Sequence, residues 1–217
     1  MFKVARDAYL FLSGGVGASI VLLAAGIIFR NDWLFWGVGL CGVFVGCVIF
    51  FFRDPERVIS AGENDVVSPA DGKVAAVVRE HNSEFFQGEV IRVSIFLSVF
   101  NVHINRIPFT GTAAYYRYIP GAFLAAFKEE ASQRNERTIV GITRGSSKVA
   151  FKQIAGIIAR RIVCTVQEGQ KVTAGERCGL IKFGSRVDVL LSLDAEVIIK
   201  KGQRVYGGLT IIGRISV

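Results

Sequence analysis

Histidine is scarce in this chain, with two copies, and cysteine hardly less so, with four. Two histidines, His81 and His103, do not make a histidine-rich zinc site, and no metal is expected. Cys41 and Cys47 fall inside an apolar run, and Cys164 and Cys178 lack C-x-x-C spacing. The cysteines therefore suggest neither a metal centre nor a disulfide framework, which fits a cytoplasmic domain. Acidic residues are also short, 18 against 26 Lys and Arg, giving a formal net charge of +8. That excess comes without a nucleic-acid motif or an interleaved aromatic and basic stripe, so no nucleic-acid partner is expected.

Hydrophobic residues make up 51% of the chain, but unevenly. Ala8 to Phe29 and Trp33 to Phe52 carry no charge, and only Arg30-Asn31-Asp32 separates them. Each run is about the ~20 residues a helix needs to cross a bilayer. The pair predicts an N-terminal transmembrane helical hairpin, a membrane anchor over residues 1–52. A buried core hairpin is the bland alternative. A signal peptide fits poorly, since there are two long segments and no clear cleavage site. Lys3 and Arg6 precede the hairpin, and Arg53 and Arg57 follow it. The positive-inside rule then puts both ends, and everything after residue 52, on the cytoplasmic side of the cell membrane. Trp33 and Trp36 sit at the loop end of the second helix, where an interfacial ring would lie. Eight glycines dot the two helices; close approach and ordinary membrane-helix composition explain them equally well. With an anchor present, the basic excess reads best against an anionic lipid surface.

After the charged linker Arg53 to Arg57 the pattern turns to β. Val66-Val67, Lys73 to Val78, Val90 to Leu97, Thr112 to Tyr118, Thr138 to Ile142, Ser147 to Ile154 and Gly156 to Val163 are rich in Val, Ile and aromatics. Gly, Pro, Asp or Asn separate them, which is the strand-and-turn signature. Gly121 to Ser132 reads as the one helical stretch, with Phe123, Leu124, Phe127 and Ala131 at helical spacing. Gly169-Gln170-Lys171-Val172 returns as Gly202-Gln203-Arg204-Val205, each followed by a glycine turn, and Ser68 to Val74 opens in a similar way. These echoes predict a mainly-β domain over residues 53–217, of barrel-sandwich or hybrid-motif type, built from quasi-repeats.

Few residues offer chemistry. Asp71, in Pro-Ala-Asp-Gly, is by itself a good hairpin-turn residue. His103 titrates near neutrality, and a lone histidine there is equally a structural one. His81 sits in a polar stretch and reads as surface. Ser185 follows Gly184 between two strand-like runs. A serine needs a base to become a nucleophile, and G-S-R-V-D is not the hydrolase elbow G-x-S-x-G. A serine that attacks the carbonyl of its own preceding glycine fits better, because glycine leaves that carbonyl uncrowded. The product is an ester. Elimination from the ester leaves dehydroalanine, which becomes a pyruvoyl group.

Four stretches occur in order: Ser68-Pro69-Ala70-Asp71-Gly72; Asn101 to Pro108; Lys152 to Gly156 with Ala159 to Val163; and Ile181 to Asp188. Together they resemble the short, archaeal-type proenzyme form of the phosphatidylserine decarboxylase family, over about residues 53–217. The resemblance implies cleavage between Gly184 and Ser185 and a pyruvoyl cofactor derived from Ser185. It implies decarboxylation of phosphatidylserine to phosphatidylethanolamine, with the large and small chains of one precursor as partners and the phospholipid membrane as the setting. Asp71 and His103 match acid/base positions of the family. Longer bacterial relatives carry a second histidine where this chain has Arg106. Either His103 serves both cleavage and decarboxylation, or Asp71 takes the first proton; Arg106 is available to a phosphate or carboxylate. A non-enzymatic membrane adaptor with a lipoyl-like β domain is the reading from another class. A pyruvoyl decarboxylase of another serine-headgroup lipid or an amino acid is a third. Homo-oligomerisation stays open.

Overall fold

The computed structural model describes residues 2–82, 84–126, 130–157, 161–181 and 185–215. The chain divides into two compact units, Met1–Glu56 and Arg57–Val217.

The first unit is a helical hairpin closed by a short ribbon. Strand β1 (Phe2–Val4) leads into α1 (Tyr9–Phe29), and α2 (Asp32–Phe51) returns to β2 (Arg53–Pro55), which pairs antiparallel with β1. Helix α1 stops where Arg30 turns left-handed, at φ 47°, and the Asn31 side chain caps α2 by accepting the Trp33 N–H at 3.0 Å. Both helices are long and apolar enough to cross a membrane. Leu10, Ile20, Ile28, Trp33, Trp36 and Leu40 are exposed, spread over faces that a water-soluble helix would make polar. The glycines divide. A Cβ on Gly15, Gly26 or Gly37 would come within 2.8, 3.2 and 3.2 Å of Val45, Phe35 and Leu22 on the opposite helix. Gly14, Gly17, Gly39, Gly42 and Gly46 meet nothing within 4 Å. Close approach therefore accounts for three positions only.

The second unit is mostly β. In chain order it holds β3 (Asp65–Val67), β4 (Gly72–Asn82), β5 (Gly88–Leu97), β6 (Ile104–Arg106) and β7 (Gly111–Ile119). A four-residue helix α3 (Ala131–Arg134) precedes β8 (Arg137–Arg144), β9 (Ser147–Ile154) and β10 (Ile162–Cys164). Then come β11 (Lys171–Val172), β12 (Arg177–Ile181), β13 (Ser185–Leu191), β14 (Glu196–Val197), β15 (Arg204–Val205) and β16 (Ile211–Arg214). One eight-stranded sheet runs β11-β7-β8-β9-β13-β5-β4-β15, flanked by the three-stranded sheets β10-β12-β6 and β14-β16-β3.

The predicted quasi-repeats are real, and they pair the two halves of this unit. Strand β11 caps β7 at one sheet edge as β15 caps β4 at the other. The bulge at Val74/Ala76 recurs at Ala113/Tyr115. Gly72 and Gly111 each press against a neighbouring carbonyl, those of Phe96 and Thr143, and leave no room for a Cβ. The N–H of Arg106 donates to Pro69 O, and that of Val67 to Pro108 O. In this correspondence Asp71 matches Thr110, Ala70 matches Phe109, Asn64 matches His103, Leu97 matches Arg144 and Gly207 matches Ala174. The core between the layers includes Val93, Ile95, Phe109, Ile142, Phe151, Val187 and Val189, all buried. Each such side chain contributes about 1.5–3 kcal/mol on burial.

Two expectations are corrected. Gly121 to Ala126 is not helical; α3 begins only at Ala131, and Phe127 lies outside the described residues. The Asn135 side chain holds this stretch open, accepting the Leu124 N–H and donating to the Leu124 and Ala155 carbonyls. A backbone tied at both its N–H and C=O to a side chain eleven residues away has no helical partner to spare. Of the strand expected over Gly156 to Val163, only Ile162 and Val163 are in β10, and Ile158 to Arg160 lie outside the described residues. His81, expected on a loop, sits on β4, exposed as expected.

Candidate active site

Strand β13 pairs with β5 on one side and β9 on the other, so it is central to the sheet. Its residues alternate. Val187, Val189 and Leu191 enter the apolar core, and Ser185 shares their face. Ser185 is fully buried, and its Oγ has no hydrogen-bond partner among the described residues. A buried, unpartnered hydroxyl is uncommon and calls for an explanation. The other predicted cleavage residue, Gly184, lies outside the described residues.

Register places the other predicted residues around Ser185. Ser185 pairs with Leu97, and Lys73 with Phe96, so Gly72 falls beside Leu97. Asp71 therefore stands at the same end of the sheet, two strands away, roughly 10 Å by strand spacing. His103 is buried and immediately precedes β6, whose Ile104 pairs with Leu180, so it lies across from the end of β12. The chain from that end leads directly to Ser185.

The second half of the repeat shows what is special about this end. There Arg144 occupies the place of Leu97. It stacks over the Phe109 ring at 4.7 Å and donates to Asn64 Oδ1 at 2.6 Å. The tight turn between β8 and β9 closes that end, with Arg144 opposite Ser147. In the first half the matching residues are Leu97, Ala70 and His103, and β5 and β13 are not joined by a turn. A small side chain, Ala70, stands in place of the Phe109 ring.

Asp71 is less free than the sequence suggests. Arg57 holds it with both arms, Nη1 to Oδ1 at 2.6 Å and Nη2 to Oδ2 at 2.9 Å. Asp71 Oδ1 also accepts the Gly207 N–H at 2.8 Å, and Arg57 Nη1 donates to Gly207 O at 2.5 Å. Arg57, expected as a cation flanking the membrane, is thus a buried partner of Asp71. Sequence reading missed it because the pair is local only in space. Arg106 is also buried; its Nη1 donates to Gly175 O at 2.8 Å, bracing the turn before β12.

The opposite face of β13 carries a buried polar cluster. Arg186 Nε donates to Asp188 Oδ1 at 2.7 Å and Nη2 to Oδ2 at 2.8 Å, and Ser132 Oγ donates to Asp188 Oδ2 at 2.8 Å. Arg92, bonded to Glu80 at 2.6 Å, stands 3.9 Å from the same carboxylate. The signal was present in Ser-Arg-Val-Asp-Val: opposite charges two apart share one strand face. On the core side, Thr138 Oγ1 bonds Gln153 Oε1 at 2.7 Å, and Gln153 Nε2 donates to Asn105 Oδ1 at 2.8 Å. Burial pushes the Cys178 thiol well above its usual range, and the nearby Cys164 sulfur adds to this; Cys164 is raised more modestly by its own burial.

A buried serine heads a central strand, with an acid at the same sheet end and a buried histidine just before β6 of the neighbouring sheet; comparison with known proteins makes the chain a decarboxylase. The description "Phosphatidylserine decarboxylase" matches residues 44–213. Relatives named phosphatidylserine decarboxylase proenzyme span nearly the same length. That of Magnetococcus marinus is 41% identical over 214 residues, 98% of this chain and 95% of its own. That of Carboxydothermus hydrogenoformans is 46% identical over 187 residues, 86% of each chain. That of Solibacter usitatus is 47% identical over 206 residues, 94% of this chain and 96% of its own. The chain belongs to the phosphatidylserine decarboxylase family. The non-enzymatic adaptor reading is thereby set aside.

Proposed function

We propose that this chain is a membrane-anchored proenzyme that cuts itself between Gly184 and Ser185 and then decarboxylates phosphatidylserine to phosphatidylethanolamine. The observation that carries the reading is Ser185: buried, unpartnered at Oγ among the described residues, and first in a central strand. A hydroxyl kept from water, and from other acceptors among the described residues, fits one used up by the protein itself. In the first step Oγ attacks the Gly184 carbonyl, the Gly184–Ser185 C–N bond breaks, and an ester forms. Loss of the Ser185 α-proton then expels the Gly184 carboxylate. Water converts the resulting dehydroalanine to a pyruvoyl group with release of ammonia. When present, that group supplies a carbonyl for the substrate amine and an electron sink as carbon dioxide leaves.

The chain's own residues bind, orient and move protons. His103 is the base for Ser185, and later the acid that returns a proton to the carbon that lost carbon dioxide. The ion pair with Arg57 supports this choice over Asp71, since both carboxylate oxygens are already engaged by the guanidinium and the Gly207 N–H. Asp71 instead orders the turn at Gly207 and fixes the charge balance of the site. Arg106, buried beside the turn at Gly175, is the proposed cation for the headgroup; loss of headgroup affinity in Arg106→Ala tests it. The quasi-repeats support a domain of barrel-sandwich type over residues 53–217.

The hairpin of residues 1–52 spans the bilayer in this reading, with both ends and the catalytic unit at the cytoplasmic face. The charge argument counts Lys3, Arg6, Arg53 and Arg57 flanking the hairpin against Arg30 alone in its loop. Ser185→Ala is the direct test of the mechanism. It leaves one uncut, inactive chain; two chains or retained decarboxylation in that variant would remove Ser185 from the mechanism.

A further inference from the structure

Strand β6 turns one polar side chain onto the large sheet. Asn105, at its centre, is fully buried, and its Oδ1 accepts from Gln153 Nε2 at 2.8 Å. Gln153 Oε1 in turn accepts from the Thr138 hydroxyl at 2.7 Å. Gln153 is the strand partner of Val187 across β9 and β13, so its side chain lies on the face that carries Val187 and, two residues along, Ser185. Residues offset by two on neighbouring strands stand roughly 7–8 Å apart, which makes Gln153 a diagonal neighbour of Ser185. The Asn105 amide is therefore set between the layers, one row inward of Ser185. His103, two residues earlier, is buried at the entry to β6. The cleavage junction is confined to the same region. Asn105 pairs with Gly179 on β12, and β12 ends at Ile181. Four residues then lead to Ser185, a span of at most ~14 Å.

One donor of this chain of bonds is unused. Asn105 Nδ2 is buried and has no hydrogen-bond partner among the described residues, and the same holds for Ser185 Oγ. An amide N–H kept from both water and acceptors is unfavourable in a resting fold. Thr138 and Gln153 fix which way the amide faces. With Oδ1 taken by Gln153, Nδ2 is the atom left over. A fixed, water-excluded donor close to a buried nucleophile is suited to charge that appears only during a reaction.

We propose that Asn105 Nδ2 is the oxyanion donor for self-cleavage. The inference rests on the reading of Ser185 as the self-attacking residue. As Ser185 Oγ adds to the Gly184 carbonyl carbon, its proton passes to His103 and the carbonyl oxygen takes up the negative charge. Asn105 Nδ2 donates to that oxygen. When the C–N bond breaks, the nitrogen leaves with the proton returned by His103, the carbonyl re-forms as the ester, and the charge on oxygen is gone. The donor is engaged most strongly while the charge exists, so it lowers the barrier without stabilising the uncut chain. Thr138 and Gln153 are positioning residues, which act by holding the amide with its N–H₂ toward the junction.

Loss of precursor, timed on a denaturing gel after cell-free synthesis of the full-length chain in detergent, reads this step directly. Asn105→Ala is expected to lengthen the half-time about a hundredfold or more, the effect of removing one oxyanion donor. Asn105→Asp keeps the shape but puts an acceptor in place of the donor, and is expected to cut as slowly. Gln153→Glu offers the Asn105 amide an acceptor and turns it over, so cutting is expected to slow although Asn105 is still present. Folding is read apart from cleavage, by the melting temperature of each variant in a Ser185→Ala background. If Asn105→Ala melts early, Asn105→Leu with Gln153→Met removes both amides together and is the milder change, with the same slow cleavage expected. Hydroxylamine splits an ester into a hydroxamate and a free serine N-terminus. It is expected not to restore cutting in Asn105→Ala, because the ester itself forms slowly. A wild-type half-time in a folded Asn105→Ala chain would overturn the donor. So would wild-type cutting in Asn105→Asp, which would make the residue an acceptor, or full rescue by hydroxylamine, which would move its role to the elimination step. Wild-type cutting in Gln153→Glu would overturn the positioning. A wild-type chain that never cuts itself would overturn the self-cleavage reading and this donor with it, and the same gel tells the two failures apart.

Discussion

Arg57 and Asp71 form a two-armed ion pair in which each side chain is only 8% exposed. The repeat supplies its control. In the other half, Thr110 Oγ1 accepts the Ala174 N–H at 3.0 Å, just as Asp71 accepts that of Gly207. A neutral threonine suffices to hold that turn. A carboxylate with its own arginine is more than the turn requires.

Removing Arg57 leaves a buried carboxylate without its counter-charge, a change that costs about 3–5 kcal/mol in other buried pairs. Arg57→Ala is expected to lower the melting temperature and to lengthen the half-time of precursor loss on a denaturing gel. Arg57→Lys restores charge without the fork and falls between. Thr110→Val costs about 1 kcal/mol and leaves cleavage at the wild-type rate. Equal effects of Arg57→Ala and Thr110→Val would reduce Asp71 to a turn residue.

His103 and Asp71 separate by which step each stops. With Asp71 held by Arg57, His103→Ala is expected to block self-cleavage as well as decarboxylation. Asp71→Asn slows cleavage but still yields two chains over time. The reverse pattern, read by gel and by release of labelled carbon dioxide, would make Asp71 the first base.

Much of this was legible in the sequence. The helical hairpin falls within a residue of its expected bounds, because uncharged runs of that length leave few alternatives. The turn glycines of the repeats fixed the sheet edges: Gly169 and Gly202 have φ of 85° and 91°, and Gly175 and Gly208 of 83° and 76°. Arg57 was not legible. It reaches Asp71 and Gly207 across 14 and 150 residues, and no local pattern encodes such a contact. Gly121 to Ser132 failed for a related reason, since helical spacing lost to a distant side chain, Asn135, that captured the backbone. The plug of Arg144 and Phe109, and its replacement by Leu97 and Ala70, depends on strand register that no local pattern encodes.

The Arg186–Asp188 pair is structural support beneath Ser185. Asp188→Ala strands a buried guanidinium and removes the acceptor of Ser132, so about 3–5 kcal/mol of stability is expected to go. Denaturant unfolding of the Ser185→Ala background, with and without Asp188→Ala, measures it apart from processing. A loss below about 1 kcal/mol would mean the pair is solvated.

Cys178 gives the pH dependence. Its folded thiol pKa is raised by burial, so the folded state stays protonated where the unfolded chain ionises. That thiol is neutral in both states below about pH 8, near the unfolded value of ~8.5. Above it the unfolded chain releases a proton that the folded chain keeps, so stability falls as pH rises. The melting temperature is expected to drop from pH 8 to pH 10, and less so in Cys178→Val. Iodoacetamide at pH 8 should leave Cys178 unmodified until the protein is denatured. Rapid modification of the native thiol would contradict its burial.

The most direct test of the account is the intact mass of the purified wild-type protein under denaturing conditions. Two chains are expected: one ending at Gly184, the other running from residue 185 to Val217. The smaller chain should be lighter by one ammonia than a serine-initiated peptide and should resist Edman degradation. A single chain of 217 residues with full decarboxylase activity would contradict the account. So would a small chain that still begins with serine in the active enzyme.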